Sequence, residues 1–336
     1  MKKTTSKSVK TKVETIVTPP LNYSYVIILI AYTLITVLTP NLKAWDANGP
    51  KFLFLSLLNL LSFLFLIGRK EMRTNPTLHF AFFRNKIGLV YTLFMIMVLI
   101  SFTKAINISE SILSFSKYFT VFCMTYILSI LFRFDRRYLR MVLIVMTVLL
   151  IADSFTVFYN ILLYITKQVD SIYEIKSVYA NKNVLAAAIF VKIPFALWLA
   201  TFEKQWLKKL GFVTLFFAEL AIFFMSTRAF YLGLIFLALI YGAYLLIIFL
   251  RDRKKTGLKT LSFFFGSLLI AFLFFSFTQH FLYPKKIDIY NKSYTERLST
   301  ITSGEAGRLE SWKRSALLFK QDPLLGVGTG NWKIQV

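Results

Sequence analysis

Two arginines in this chain have the chemistry to bind a phosphate group. Arg228 occurs in the segment FFMSTRAFYLGL and Arg308 in the segment SGEAGRLESWKRS, and each lies where the hydropathy pattern leaves the apolar runs. A guanidinium group is permanently charged and presents a planar fork of N–H donors that matches phosphate oxygens. Two such groups on one side of a membrane predict a site for an anionic, membrane-borne substrate.

The composition indicates a membrane protein. Of 336 residues, 57% are hydrophobic and 17% aromatic, and they occur in long uncharged runs that a soluble domain would not carry. The net charge of +24 would suit nucleic-acid binding, but the Lys and Arg lie mainly between apolar runs, as the positive-inside rule requires. We therefore expect membrane lipids as partners and no nucleic acid. One cysteine and two histidines argue against an intrachain disulfide framework and a structural zinc site.

The apolar runs predict an all-α, polytopic bundle of transmembrane helices. Nine runs have the length that a bilayer requires, about 20 residues each. They cover roughly residues 22–38, 51–68, 86–102, 113–132, 141–166, 183–201, 210–227, 229–250 and 260–278. The bundle therefore covers residues 22–278. Residues 1–21 are basic and contain a Pro-Pro pair, which predicts a disordered cytoplasmic tail before a retained first span rather than a signal peptide.

The connections between the predicted spans alternate in charge. The tail and the connections GRKEMRTNPTLHFAFFRNK, RFDRRYLR, FEKQWLKK and RDRKKTGLK are rich in Lys and Arg, whereas the alternate connections are poor in them. Basic connections face the cytoplasm, so the N-terminus is predicted to lie inside. Residues 279–336 are then an extracytoplasmic loop, and both arginines lie on its side of the membrane.

This loop is predicted to contain an amphipathic helix. Thr302 and Glu305 form a capping-box pattern, and Pro323 should stop the helix. Apolar residues follow the capping box at helical spacing: Leu309, Trp312, Ala316, Leu317 and Phe319. Another face carries Lys and Arg, so the helix can lie in the membrane interface. A glycine-rich turn, PLLGVGTGNW, comes next.

The segment GRLESWKRSALLFKQDPLLGVGTGNW resembles the signature of the O-antigen ligase and polymerase family of membrane glycosyltransferases. The shared pattern is Gly-Arg, a Trp four residues on, an apolar helix and a Gly-x-Gly-Asn-aromatic turn. The segments MSTRAFYLGLIFLAL and YANKNVLAAAIFVKIPFALWL resemble two further family motifs in the family's order. Together the three segments cover roughly residues 179–336.

The resemblance implies transfer of a glycan from an undecaprenyl-diphosphate carrier to a hydroxyl of a lipid or protein acceptor. It places the reaction at the outer face of the bacterial inner membrane, with inversion and without a metal or other cofactor. Arg228 and Arg308 are implied to hold the diphosphate, where fixed cations stabilise the leaving group. The implied general base is a histidine shortly after the Gly-Asn-aromatic motif. The sequence reaches Val336 without it, so either the chain is a fragment, which we expect, or the base is absent.

Three residues near the C-terminus are further candidates for substrate binding. Trp312 is a platform for a sugar ring or, structurally, an interface anchor. Gly328 and Asn331 belong to the family turn, and the backbone amides of its glycines can approach a diphosphate. The structural alternative is that Gly326, Gly328 and Gly330 simply form the turn.

Three candidates precede the seventh predicted span. Asn181 and Asn183 are substrate contacts or, structurally, loop and helix-cap residues. Lys192 lies inside the sixth span, where an ionisable group is expensive and faces the bundle interior. It is either a substrate-binding residue or a structural partner of Asp153 or Glu219.

Two classes of function remain open. The first is a lipid-linked glycan transferase of the ligase type, with a polysaccharide polymerase or a protein O-glycosyltransferase as alternatives within the class. The second is a flippase or transporter for the same carrier. A flippase should show repeated halves and charges through the depth of the bundle. The sequence shows no clear repeat and its distinctive residues gather at one face, which favours the transferase.

Overall fold

The computed structural model describes residues 21–39, 48–166, 179, 181–225, 227–252, 255–281 and 306–335. Within these residues, all regular secondary structure is helical. In chain order the helices are α1 (Tyr23–Leu38), α2 (Gly49–Gly68), α3 (Lys70–Arg73), α4 (Pro76–Arg84), α5 (Lys86–Ile100), α6 (Ile108–Phe134), α7 (Arg136–Ile165), α8 (Lys182–Phe202), α9 (Gln205–Met225), α10 (Arg228–Asp252), α11 (Lys255–Phe281), α12 (Ala306–Gln321) and α13 (Trp332–Gln335). A 3-10 turn at Ser101–Lys104 follows α5. The predicted tail up to residue 20 and the predicted capping box lie outside the described residues.

Each of the nine predicted spans coincides with a helix, and the polytopic all-α bundle is confirmed. Seven of the described helices are long and apolar enough to cross a membrane. The two predicted spans outside that set are α1, which has only 16 residues, and α9, which carries Lys208, Lys209 and Glu219. The count of nine spans therefore depends on a short helix and on a helix with three ionisable residues.

Asparagine side chains cap the starts of four of the described helices. The side-chain oxygens of Asn22, Asn85 and Asn107 accept hydrogen bonds from backbone N–H groups of the first turns of α1, α5 and α6, at 3.0, 3.1 and 3.3 Å. Asn181 does the same for α8. Each bond satisfies a donor that the first turn of a helix leaves unpaired. Local side-chain chemistry therefore fixes where these helices start.

The connection between α2 and α5 folds into two short helices that the span pattern did not predict. His79 on α4 joins this connection to the bundle, because its Nδ1 lies 3.0 Å from the Tyr126 hydroxyl of α6 and its Nε2 lies 3.0 Å from the Met72 carbonyl. Phe82, also on α4, is buried. The basic connection is thus a packed part of the fold.

The bundle has two large hydrophobic clusters that share one helix. The first is built from α1, α2, α3, α6 and the start of α7, where Tyr25 meets Tyr138 edge to face at 6.0 Å. The second is built from the rest of α7 with α8, α9, α10 and α11. Leu150 and Val157 of α7 are fully buried in this second cluster. Helix α7 therefore joins the two halves of the molecule.

Small residues bring α8 and α9 into close contact. A Cβ atom added to Gly211 of α9 would lie 2.6 Å from the Ala200 nitrogen and 2.8 Å from the Ala196 oxygen of α8. Approach of this kind between backbones is a common basis of helix association in membranes. Helix α9 is also the most enclosed helix, with every residue of 218–225 buried.

Polar contacts at one end of the bundle join connections that the charge pattern assigns to one side. Arg140 at the start of α7 forms an ion pair of 2.6 Å with Glu203, which follows α8. Arg133 near the end of α6 donates to the Ala81 carbonyl of α4 at 3.3 Å. We call this the basic end and the opposite end the far end. Because successive long helices run in alternate directions, the α5–α6 connection, the start of α8 and the start of α10 all lie at the far end.

Candidate functional site

Arg228 is the first residue of α10, at the far end of the bundle. The carbonyl of the buried Thr227 accepts hydrogen bonds from the Phe230 and Tyr231 nitrogens at 3.1 and 3.4 Å, which starts the helix. The Tyr231 hydroxyl donates to the Phe223 carbonyl of α9 at 3.0 Å. The turn between α9 and α10 is therefore tied back to the core. The Arg228 side chain lies outside what the structure describes.

Arg308 lies in the first turn of α12, and its side chain is likewise outside the described part. The predicted convergence of the two guanidinium groups on one cavity therefore stays a prediction. The helix ends at Gln321, two residues before Pro323, as the proline predicts. Glu310 and Arg314 form the expected i,i+4 pair at 3.2 Å.

Helix α12 presents an apolar stripe to its surroundings. Trp312 is 68% exposed and Phe319 is 64% exposed. Leu309 is also exposed, and the three side chains lie on one side of the helix because they are three and seven residues apart. This stripe suits the membrane interface or a sugar, the two roles predicted for Trp312.

The glycine-rich turn docks on the connection between α5 and α6. Gly328 and Gly330 have φ angles of +82° and +79°, a left-handed conformation that favours glycine. A Cβ atom on Gly328 would lie 2.7 Å from the Ala105 Cα atom, and one on Gly330 would lie 2.6 Å from the Glu110 carbonyl oxygen. We call residues 328–331 together with residues 101–111 the clamp. The glycines thus form the predicted turn and also permit a close backbone approach.

Asn331 is the polar centre of the clamp and is fully buried. Its Oδ1 accepts a hydrogen bond of 2.7 Å from the Asn107 nitrogen. Its Nδ2 donates to the Ser111 hydroxyl at 2.9 Å and to the Thr329 carbonyl at 3.0 Å. Both ends of the amide are therefore engaged by protein groups.

Hydroxyl groups complete the clamp. The Ser101 and Thr329 hydroxyl oxygens lie 2.7 Å apart, and the Thr329 nitrogen donates to the Ser101 hydroxyl at 3.2 Å. The Ser111 hydroxyl donates to the Thr329 carbonyl at 2.7 Å. Side chains from two distant parts of the chain therefore bind the turn from both sides.

Two ion pairs connect the clamp to neighbouring segments. Lys104 lies 2.9 Å from Asp322, which follows α12, and Lys333 of α13 lies 2.7 Å from Glu110 of α6. The hydrogen bond from the Lys104 ammonium lowers the pKa of the Asp322 carboxyl below its usual value. The pairs connect the end of α12 and the start of α13 to the same α5–α6 connection.

The candidates around α8 separate into a cap and an ion-pair group. Asn181 accepts hydrogen bonds from the Asn183 and Val184 nitrogens at 2.9 and 3.0 Å, so the helix-cap interpretation of Asn181 is correct for its side-chain oxygen. The Asn183 side chain is exposed.

Lys192 pairs with Asp153 of α7 rather than with Glu219. Its Nζ lies 2.7 Å from the Asp153 carboxylate and donates to the Tyr179 hydroxyl at 3.2 Å. The Tyr179 hydroxyl donates in turn to Asp153 at 3.2 Å. Burial raises the pKa of Tyr179, so the hydroxyl keeps its proton. Glu219 is fully buried, and neither of its carboxylate oxygens lies within hydrogen-bond geometry of a partner among the described residues.

The structure places the candidates in separate groups. Gly328 and Asn331 meet in the clamp, Arg308 and Trp312 lie on α12, and Asn181 and Lys192 belong to α8. Four residues with direct contacts to the glycine-rich turn or to Lys192 were not predicted from the sequence: Ser101, Ser111 and Tyr179 through their side chains and Asn107 through its backbone. A signal existed only for Asn107, because Asn-x-x-Glu before an apolar run is a helix-start pattern.

The comparison with known families decides what the C-terminal part of the chain is. A family model described as O-antigen ligase matches residues 210–336. Residues 210–336 belong to the O-antigen ligase family. No curated protein and no solved structure matches the chain significantly. The ligase domain begins at the start of α9 and contains both arginines, α12 and the turn of the clamp. Asn181, Asn183 and Lys192 precede it, although the resemblance seen in the sequence reached back to residue 179.

The charges at the far end determine which chemistry the ligase domain can support there. Three described carboxylates at this end are each paired with a cation: Glu110, Glu310 and Asp322. A carboxylate that is already paired with a cation is less available to accept a proton from a hydroxyl. These three carboxylates are therefore weak candidates for the general base of a transfer reaction.

Proposed function

We propose that this protein transfers a glycan from an undecaprenyl-diphosphate carrier to an acceptor hydroxyl at the outer face of the bacterial inner membrane. The observation that carries the proposal is the O-antigen ligase match over residues 210–336, because it includes both Arg228 and Arg308. The charge alternation of the connections supports the outer face and a cytoplasmic N-terminus. Transfer to a lipid acceptor is the reaction of the ligase type.

In the proposed reaction the acceptor oxygen attacks the anomeric carbon of the first sugar. The bond between that carbon and the diphosphate oxygen breaks, and its electron pair stays on the diphosphate. Arg228 and Arg308 stabilise this developing charge with their N–H donors, which act strongly in a site with little water. The acceptor proton passes to a general base. The resemblance implies a histidine for this role.

The first experiment replaces each arginine in turn and measures glycan transfer per folded molecule in membranes. Arg228→Lys and Arg308→Lys keep the charge and lose the planar fork. We expect each to lower transfer at least about tenfold, or roughly 1.4 kcal/mol of transition-state stabilisation. Alanine at either position should lower transfer further, because the charge is lost as well.

Arg314 supplies the matched control for Arg308. It lies on the same helix, where it pairs with Glu310, and it has no proposed role in the reaction. Arg314→Ala should leave transfer within about twofold of the parent, as expected of an exposed ion pair. Parental transfer by Arg308→Ala would show that the diphosphate assignment is wrong.

Reconstituted vesicles distinguish the transferase from the flippase. A transferase forms a glycosylated acceptor and releases undecaprenyl diphosphate, whereas a flippase moves a fluorescent lipid-linked glycan across the bilayer without changing it. Product formation that depends on both arginines would support the proposal. Movement of the carrier without any product would favour the rival function.

A further inference from the structure

The clamp makes contacts between parts of the chain that lie far apart in sequence. Asn107 and Asn331 are 224 residues apart, and Ser101 and Thr329 are 228 residues apart. The α5–α6 connection lies well outside the family match, which begins at residue 210. A region of the chain that the family model does not cover therefore binds the family's glycine-rich turn.

The internal contacts of Asn331 bear on its role. The side chain is 0% exposed, and its amide is engaged at Oδ1 by Asn107 and at Nδ2 by Ser111 and Thr329. A buried amide whose donors and acceptor are used by the protein does not offer them to a ligand. Asn331 can therefore influence a substrate only indirectly, by fixing the position of the groups that it binds.

The group held by the clamp is α12. Lys104 binds Asp322 directly after the last turn of α12. The Trp332 Nε1–H, next to Asn331, donates to the Ser315 hydroxyl in the middle of α12 at 2.9 Å. Ser315 is seven residues beyond Arg308, or about 10 Å along a helix that rises 1.5 Å per residue. Two attachments along one rigid helix determine the position of its first turn.

We infer that the α5–α6 connection is a positioning element of the transferase. Ser101, Asn107 and Ser111 act through Thr329 and Asn331 to hold α12, and with it Arg308, at the far end of the bundle. The catalytic consequence rests on the proposed function. Asn331 is accordingly a positioning residue, and its replacement displaces Arg308 from the diphosphate.

The experiment measures the clamp and the reaction separately in the full chain. Lys104→Cys and Asp322→Cys, in a Cys123→Ser background, are joined with a short bis-maleimide. Because both replacements remove the ion pair, the yield reports whether the remaining contacts of the clamp hold α12. Asn331→Ala and Ser111→Ala should each lower this yield. In the parent background without the added cysteines, each should lower the turnover rate per folded molecule at least about fivefold, because small misplacements of a binding group are expensive.

Two matched controls lie within the same structure. Thr329→Val removes the hydroxyl that meets Ser101 and should behave like Asn331→Ala, whereas Thr329→Ser keeps the hydroxyl and should restore both readings. Thr103 is exposed, and among the described residues its hydroxyl bonds only the Ile100 carbonyl of its own turn. Thr103→Ala should therefore change neither the yield nor the turnover rate.

A double-mutant cycle with Arg308 decides between positioning and direct binding. If Asn331 acts through Arg308, adding Asn331→Ala to Arg308→Lys should cost less than about twofold. Full multiplication of the two effects, or an unchanged cross-linking yield in Asn331→Ala, would overturn the inference. If Asn331→Ala fails to fold, Thr329→Val and Thr329→Ser give the same decision. A parent that transfers no lipid-linked glycan refutes the proposed function, while the cross-linking yields still determine whether the clamp holds α12.

Discussion

The two arginines of the proposed site are held by different means. Arg228 follows α9, whose last eight residues are buried, and the turn before it is bonded back to the core. Arg308 lies on α12, where most side chains are exposed and where polar contacts to the α5–α6 connection provide the attachment. Packing places the first arginine and hydrogen bonds place the second.

This difference determines what mutations in each region should do. A defect in the packing of α7, α8 or α9 should reduce the amount of folded protein, because cores respond strongly to cavities, excess volume and unpaired charge. A defect in the clamp should leave the bundle folded and reduce transfer. The following substitutions test that distinction.

The largest effect on folding is expected at the ion pair of α7 and α8. Asp153→Asn leaves the Lys192 ammonium without its carboxylate, and loss of one partner of a buried pair typically destabilises by about 3–5 kcal/mol. Thermal unfolding of the purified protein measures the change. The double variant Asp153→Leu/Lys192→Met should recover much of the stability.

The same double variant tests whether Lys192 contacts substrate. Parental transfer by a folded double variant would assign Lys192 a purely structural role. Loss of transfer at normal stability would support the predicted substrate contact.

The next effect is expected where α8 and α9 touch. Gly211→Ala places a Cβ atom 2.6 Å from the Ala200 nitrogen, and overpacking of this kind typically costs about 1–3 kcal/mol. Gly266 of α11 is the control, because a Cβ atom there meets nothing within 4 Å. Size-exclusion profiles and unfolding midpoints should show a loss for Gly211→Ala alone. Equal behaviour of the two variants would contradict the close approach.

A smaller effect on stability and a larger one on transfer are expected in the clamp. Gly328→Ala and Gly326→Ala both place alanine at a positive φ, +82° and +60°, with a strain of about 1–2 kcal/mol each. Only Gly328 has a close neighbour, since a Cβ atom on Gly326 meets nothing within 4 Å. Transfer per folded molecule should fall further for Gly328→Ala. An equal fall in transfer for both variants would show that backbone strain, and not the close approach at Gly328, causes the effect.

The smallest effect is expected at the Lys104–Asp322 ion pair. Lys104 lowers the pKa of Asp322 below its usual value of 3.8, so the pair contributes stability above that pH and loses it as the pH falls through the lowered pKa. Unfolding midpoints of the parent and of Asp322→Asn should differ by a constant amount from pH 7 to pH 5. They should converge below pH 4. A difference that persists at low pH would exclude the ion pair as its cause.

Hydropathy and local motifs predicted the part of the fold that depends on short stretches of sequence. Each predicted span became a helix, because about 20 apolar residues in lipid must satisfy their own backbone hydrogen bonds. The end of α12 before Pro323 and the Glu310–Arg314 pair were also predicted from neighbouring residues alone. The cap formed by Asn181 follows from the residue type at a helix start.

Contacts between distant residues could not be predicted in this way. No periodicity indicates that Asn331 meets Asn107, because the contact depends on how two connections meet at one end of the bundle. The partner of Lys192 was undecided between Asp153 and Glu219 for the same reason, since both lie in spans at compatible depths. Helix α4 was missed because its nine residues lie in a basic connection that the charge pattern identifies only as cytoplasmic.

The distance in sequence between Asn107 and Asn331 also has a consequence for biosynthesis. The α5–α6 connection leaves the ribosome 224 residues before its partner, and chains grow at about 5–20 residues per second. At this rate of synthesis, roughly 10–45 s pass between the synthesis of the α5–α6 connection and that of the residues that Ser101, Asn107 and Ser111 bind. During that interval the nascent chain exposes these groups to water or to any protein that assists insertion, and the clamp can hold α12 only after residues 329–331 have been synthesised.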